Sequence, residues 1–208
     1  MQHPNSKREN ALYRAGHTYV AGADEAGRGA WAGPIVAAAV VLPPRVRIPG
    51  IRDSKQLSPA MRERLSARII EIAVAYQICA IAPVEIDRVG IGEANRAALR
   101  HALTTMGVAP TFALVDALSI GRMPFGTDAI IRGDAQVVSI AAASIVAKVS
   151  RDRMMRSLHQ RYPNYGFVRH KGYGTLQHRM ALQRHGISAV HRRSFAPMAQ
   201  MLTGSGAM

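Results

Sequence analysis

Short apolar runs alternate along the chain with segments whose apolar positions recur every three or four residues, the alternation expected of strands interleaved with helices. Tyr19 to Ala23 and the run IVAAAVVL, Ile35 to Leu42, predict two strands close enough in sequence to pair antiparallel, and Pro43 and Pro44 end the second. Ser58 as N-cap and Pro59 at the first helical position open a helix. Its apolar face is Met61, Leu65, Ile69, Ile72 and Ala73, and it runs to about Ala75. Tyr76 to Ala82 predicts a third strand, broken by Pro83; a helical region carrying Glu85, Asp87 and Asn95 follows, to about Met106. FALV, Phe112 to Val115, and Ala129 to Ile131 predict two more strands, ending at Asp116 and near Asp134. From Ser139 the small-residue run SIAAASIVAKVSRDRMM is helical, Pro163 breaks it, and Thr175 caps a helix to about His185 before a loose terminus. Strands first and helices later predict an α/β fold with a helical C-terminal portion. Residues 1–17 are expected to be a mobile arm and residues 201–208 a flexible tail, around one domain over 18–200 whose helical portion spans about 160–200.

Composition narrows the partners. The 27 basic residues exceed the 13 acidic ones by 14 and are spread along the chain, which predicts a folded cationic surface for an anionic partner, nucleic acid before membrane. Cys79 is the one cysteine, so no intrachain disulfide and no cysteine-rich zinc site can form, and any metal is a hard ion held by oxygens. The N-terminus has no apolar leader and no apolar run approaches the roughly 18 residues of a membrane span, so a cytoplasmic protein is expected.

The stretch YVAGADEAGRGAWAGP, Tyr19 to Pro34, concentrates the chemistry. Successive strand residues face opposite ways, so Asp24 and Glu25 serve one site only where the strand ends and the glycines bend the backbone. Gly22 and Gly27 have the interval of a phosphate loop, but Arg28 and Gly29 stand where Lys and Ser or Thr are required. A dinucleotide fingerprint would open a helix, whereas Pro34 leads into a strand. Asp24, Glu25, Asp116 and Asp134 thus lie at strand ends in a cationic chain, where clustering would be costly without divalent cations. Oxygen donors at a sheet edge suit Mg²⁺ or Mn²⁺, and two such ions about 4 Å apart can hydrolyse a phosphodiester. On spacing alone, scattered strand-end acids remain an equal alternative. Two rival functions stay open: first nucleic-acid binding without catalysis, and second metal-dependent phosphotransfer on small nucleotides. Asp152, four residues after Lys148, reads as a surface ion pair, and Asp53, Glu85 and Asp87 as turn or helix acids.

Taken together, AGADEAGRG, DSKQLS, VDAL, RGDAQVVSIAAASIVAKVSRD, YGFVRHKGYGT and HRRSF resemble the bacterial type 2 ribonucleases H, the ribonuclease HII family, in order from about Tyr19 to Pro197. The resemblance implies a ribonuclease H-like fold, a five-stranded mixed sheet flanked by helices. It implies a divalent-metal endonuclease, with two Mg²⁺ or Mn²⁺ ions, that cuts RNA in RNA/DNA hybrids. It also implies nicking of duplex DNA at embedded ribonucleotides to leave 3′-hydroxyl and 5′-phosphate ends, in the service of ribonucleotide excision and RNA primer removal. The family's acidic tetrad falls on Asp24, Glu25, Asp116 and Asp134, and its 2′-hydroxyl-reading loop on Gly27, Arg28 and Gly29. Tyr173 matches the tyrosine that packs on the following deoxyribose and Lys55 the phosphate-binding lysine, while Arg169, His170 and Lys171 are expected at backbone phosphates. Arg132 stands where the family more often has lysine, which keeps the charge. A monomer is expected.

Overall fold

The computed structural model describes residues 3–52, 54 and 57–204, and within them the predicted alternation becomes one mixed sheet between two helical layers. Strands β1 (Val20–Ala26), β2 (Ile35–Val41), β3 (Ala75–Ile81), β4 (Phe112–Asp116) and β5 (Gly126–Ile130) lie in the order β3-β2-β1-β4-β5. β1 pairs antiparallel with β2, Asp24 opposite Ala38, and parallel with β4, Ala23 beside Val115; β4 and β5 are parallel. That register sets the C-terminal ends of β1 and β4 side by side, which is what brings Asp24, Glu25 and Asp116 to one edge.

β1 and β2 sit mid-sheet and are buried on both faces, hence their continuous apolar sequences. One face packs on α2 (Pro59–Ile72) and α5 (Val138–Arg161), with Leu65, Ile69, Ala142, Ile145 and Val149 in its core. The other packs on α4 (Ile91–Thr104) through Ala98, Leu99, Ala102 and Leu103. The small residues of α5 permit close approach to β1. A Cβ at Gly22 would collide with the backbone of Ser139 and Ile140, so only glycine fits there. Ser58 and Thr175 cap α2 and α7 (Leu176–His185), accepting from the N–H groups of Met61 and His178.

Four local expectations change. Residues 7–14 form helix α1 (Lys7–Arg14) in place of a mobile arm. Buried Glu9 accepts a 2.9 Å hydrogen bond from the Ser139 N–H, supplying the side-chain cap that Val137 cannot give α5. The helical region after β3 divides at Gly90, whose φ of 79° favours glycine, into α3 (Pro83–Val89) and α4. β5 begins at Gly126, earlier than expected, because it is an exposed edge strand without an apolar run. Residues Ala196–Thr203 form α8, whose Met198 is buried with Phe167 and Leu182, so the chain through Met201 is ordered helix and not tail. Among the described residues no helix is long and apolar enough to cross a membrane.

Candidate active site

At the shared edge of β1 and β4 lies a cavity of about 490 Å³, lined by Asp24, Glu25, Gly27, Arg28, Gly29, Ser54, Asp116, Ser144, Lys148 and Tyr173 among others. Three of the four predicted acids therefore share one space. Burial pushes the Asp24 carboxyl well above the usual carboxylate range, and the Glu25 and Asp116 charges push it further; the Ser144 hydroxyl and the Glu25 N–H work against that rise. The Glu25 N–H donates to Asp24 Oδ1 at 2.7 Å. Glu25 is raised too, first by burial, with the Asn95 amide easing the rise, Asp116 adding to it and Arg28 easing it. Carboxylates held at this cost in low dielectric are groups that a cation would relieve.

Asp134 lies just beyond the end of β5, as its spacing suggested. It is buried in the 3₁₀ turn Gly133–Ala135, and the turn touches the site through the Gly133 N–H, which donates to Asp116 Oδ1 at 2.6 Å. Among the described residues no three acidic, histidine or cysteine side chains close around a single ion. The donor set still fits hard cations: it is all oxygen, and magnesium binds through one or two carboxylates while water and substrate phosphate complete its shell.

Tyr173 stands at the mouth, 38% exposed, with Lys148 Nζ 5.9 Å and Arg151 Cζ 5.3 Å from its ring centre. Arg28 and Gly29, which also line the cavity, are exposed. Lys55 and Asp53 lie outside the described residues. The expectation for His170 is corrected: it is buried, its Nδ1 accepting from the Gly172 N–H and its Nε2 bonding the Tyr165 carbonyl, so the ring organises the Tyr173 loop and has no face for a phosphate. Lys171 is half-buried and donates to the Val168 carbonyl. Arg169 is exposed. Glu85 pairs with Arg88 on the surface, and Asp87 accepts from the N–H groups of Arg193 and Ser194, both structural roles.

Several residues at the site carried no sequence signal. Ser54 and Ser144 join hydroxyls at 3.1 Å beside Asp24. The Lys148–Asp152 pair, expected on the surface, is largely covered at 2.8 Å and its lysine lines the cavity. The i,i+4 spacing was legible, but the burial was not.

A family model described as Ribonuclease HII matches residues 21–198. A protein named Ribonuclease HII from Desulfitobacterium hafniense is 48% identical over 196 residues, 94% of this chain and 75% of that one. One of the same name from Bacillus cereus is 48% identical over 197 residues, 95% of this chain and 76% of the relative. Among solved structures, the ribonuclease H2 of Pyrococcus horikoshii superposes with a TM-score of 0.78 at 29% identity, over 90% of this chain and 99% of that one.

Proposed function

The chain belongs to the ribonuclease HII family, endonucleases that hydrolyse RNA in RNA/DNA hybrids with the aid of divalent metal, and from that premise we propose that it also nicks duplex DNA on the 5′ side of an embedded ribonucleotide. The observation that carries this reading is the cavity itself, where Asp24, Glu25 and Asp116 meet the Gly27–Gly29 loop and Tyr173 in a chain of net charge +14.

In this reading Asp24, Glu25 and Asp116 hold two Mg²⁺ or Mn²⁺ ions, with Asp134 joining from its turn beside Asp116. Such ions supply the charge stabilisation and the activated water that phosphodiester hydrolysis requires, leaving 3′-hydroxyl and 5′-phosphate ends. The protein's own part is positioning. Glycine at 27 and 29 lets the backbone approach the 2′-hydroxyl, the group that separates RNA from DNA. Tyr173 packs on the deoxyribose that follows. Lys55 and Lys171 take phosphates, and the cationic surface supplies most of the affinity by counterion release. The enzyme acts as a monomer in the cytoplasm, in ribonucleotide excision and RNA primer removal.

The test is a nicking assay on duplex DNA carrying one ribonucleotide, with and without Mg²⁺ or Mn²⁺. A metal-dependent nick 5′ to the ribonucleotide with a 3′-hydroxyl end is expected. Binding without cleavage would make the chain a nucleic-acid binder alone, and turnover of free nucleotides a phosphotransferase.

A further inference from the structure

Two arginines bear directly on the loop that follows β1, and neither touches the cavity. Arg151 and Arg192 are both fully buried, an unusual place for guanidinium groups. Arg151 Nε donates to the Pro34 carbonyl at 2.9 Å and its Nη2 to Ala32 at 3.2 Å. Arg192 Nε donates to Gly33 at 3.1 Å and its Nη1 to Arg28 at 2.9 Å. Four carbonyls of one loop are thus drawn inward by two side chains that come from α5 and from the segment after α7.

The rest of the loop's backbone can be followed group by group. The Gly27 carbonyl accepts from Ala30 N–H and the Trp31 carbonyl from Arg192 N–H; the Trp31, Ala32 and Gly33 N–H groups donate to Gly172 or Val190 carbonyls. The N–H groups of Arg28 and Gly29 have no partner among the described residues, and both residues line the cavity. Both residues are exposed at the centre of the turn that Ala30 N–H closes, so their N–H groups are open to water and equally to a ligand in the cavity. Arg151 also fills the space that a Cβ at Gly27 would need, and its guanidinium lies against Tyr173, so one side chain abuts both elements assigned to the substrate.

We propose that Arg151 and Arg192 are positioning residues for ribonucleotide selectivity: by holding the carbonyls of residues 28 and 32–34 inward they leave the Arg28 and Gly29 N–H groups to the substrate. This rests on the reading of the Gly27–Gly29 loop given above. Arginine suits the task because its rigid planar fork holds two carbonyls at fixed positions, whereas the donors of a lysine ammonium converge on one atom at the end of a flexible stem. Burial lowers the Arg192 pKa to about 9, which still leaves it charged at neutral pH.

The experiment compares the metal-free binding of Arg192→Lys, Arg151→Lys and the unaltered protein to two substrates, a duplex with one ribonucleotide and the same duplex built entirely of DNA, which lacks the 2′-hydroxyl. Each variant is expected to lower the ratio of affinities between the two by about tenfold, the order of one well-placed hydrogen bond, with all-DNA affinity unchanged. An unchanged ratio, or equal losses on both substrates, overturns the proposal. Gly29→Ala separates it from the reading beneath it, since a Cβ there meets nothing within 4 Å. If Gly29→Ala shifts the ratio and the arginine variants do not, the positioning role alone fails; if Gly29→Ala leaves it unchanged, the loop is not the reader. Should the arginine variants not fold, amide hydrogen exchange of the unaltered protein decides. Arg28 and Gly29 are expected to exchange fast until substrate binds, with Trp31 and Gly33 slow throughout, and protection of Arg28 and Gly29 in the free protein overturns the idea.

Discussion

His178 and His191 meet Nε2 to Nε2 at 3.0 Å inside the helical C-terminal portion, a contact in which one imidazole must be neutral to accept. The Ser188 N–H donates to His191 Nδ1, so His191 carries its proton on Nε2 and donates it to His178, whose Nδ1–H then bonds the Tyr173 carbonyl. His170 stacks on His178 with centroids 4.4 Å apart. A chain of fixed tautomers therefore ends on the backbone of the residue at the cavity mouth.

Burial holds both His178 and His191 at a pKa of about 4, with the charge of His170 adding to the depression. The unfolded imidazoles titrate near 6.5, so between about pH 6.5 and 4 the unfolded state binds more protons and stability falls as the pH drops. The contribution is complete above 6.5, and its loss reaches on the order of 3 kcal/mol for each ring below 4. Urea melts from pH 7 to 4.5 check this; a His191→Gln variant should show a shallower slope, and an unchanged slope would contradict the tautomer chain.

Asp116→Asn should abolish cleavage, by roughly 10²-fold or more, while leaving hybrid binding and its salt dependence intact. Asparagine can still accept from the Gly133 N–H, so the fold is kept. Nicking and filter-binding assays on the same preparation measure both. Near-normal cutting by the variant would remove Asp116 from the site.

Asp24 is buried against Glu25 and Asp116, and its raised pKa means that ionising it opposes folding. Asp24→Asn should raise the melting temperature of the metal-free protein by several degrees, roughly 1–2 kcal/mol, while losing activity. Added Mn²⁺ should stabilise the unaltered protein by mass action and the variant far less. Thermal melts with Mn²⁺ or a chelator read both effects.

Glu9→Ala removes the acceptor for the Ser139 N–H and should cost about 1 kcal/mol, as loss of a helix cap does, with kcat unaffected. A chemical denaturation curve together with a rate measurement suffices. No loss of stability would mean that α1 lies on the domain without supporting it.

Tyr173→Ala should weaken selectivity for the ribonucleotide junction more than affinity for long hybrids, because its ring is exposed at the mouth while its backbone is held by His178. Competition between the two substrates measures the difference. Equal losses on both would reduce Tyr173 to general stacking.

Much of this was legible in the chain and some was not. The apolar runs of β1, β2 and β4 and the caps Ser58 and Thr175 are local signals and appear where they were read. The start of the edge strand β5 is not legible in the sequence, because its exposed residues carry no alternation. Helix α1 leaves no local signal, because its support comes from Ser139, 130 residues away.

The amino-acid sequence by itself determined where strands end and which acids stand at those ends, because hydrophobic period and turn chemistry act within a few residues. Only the tertiary structure decided that the turn carrying Asp134 closes on Asp116 through the Gly133 N–H, that His170 is interior, and that Arg151 and Arg192 hold the carbonyls of the loop after β1. A buried charge or imidazole survives through partners supplied by distant segments, and no local pattern of residues encodes which carbonyl will be there to receive it.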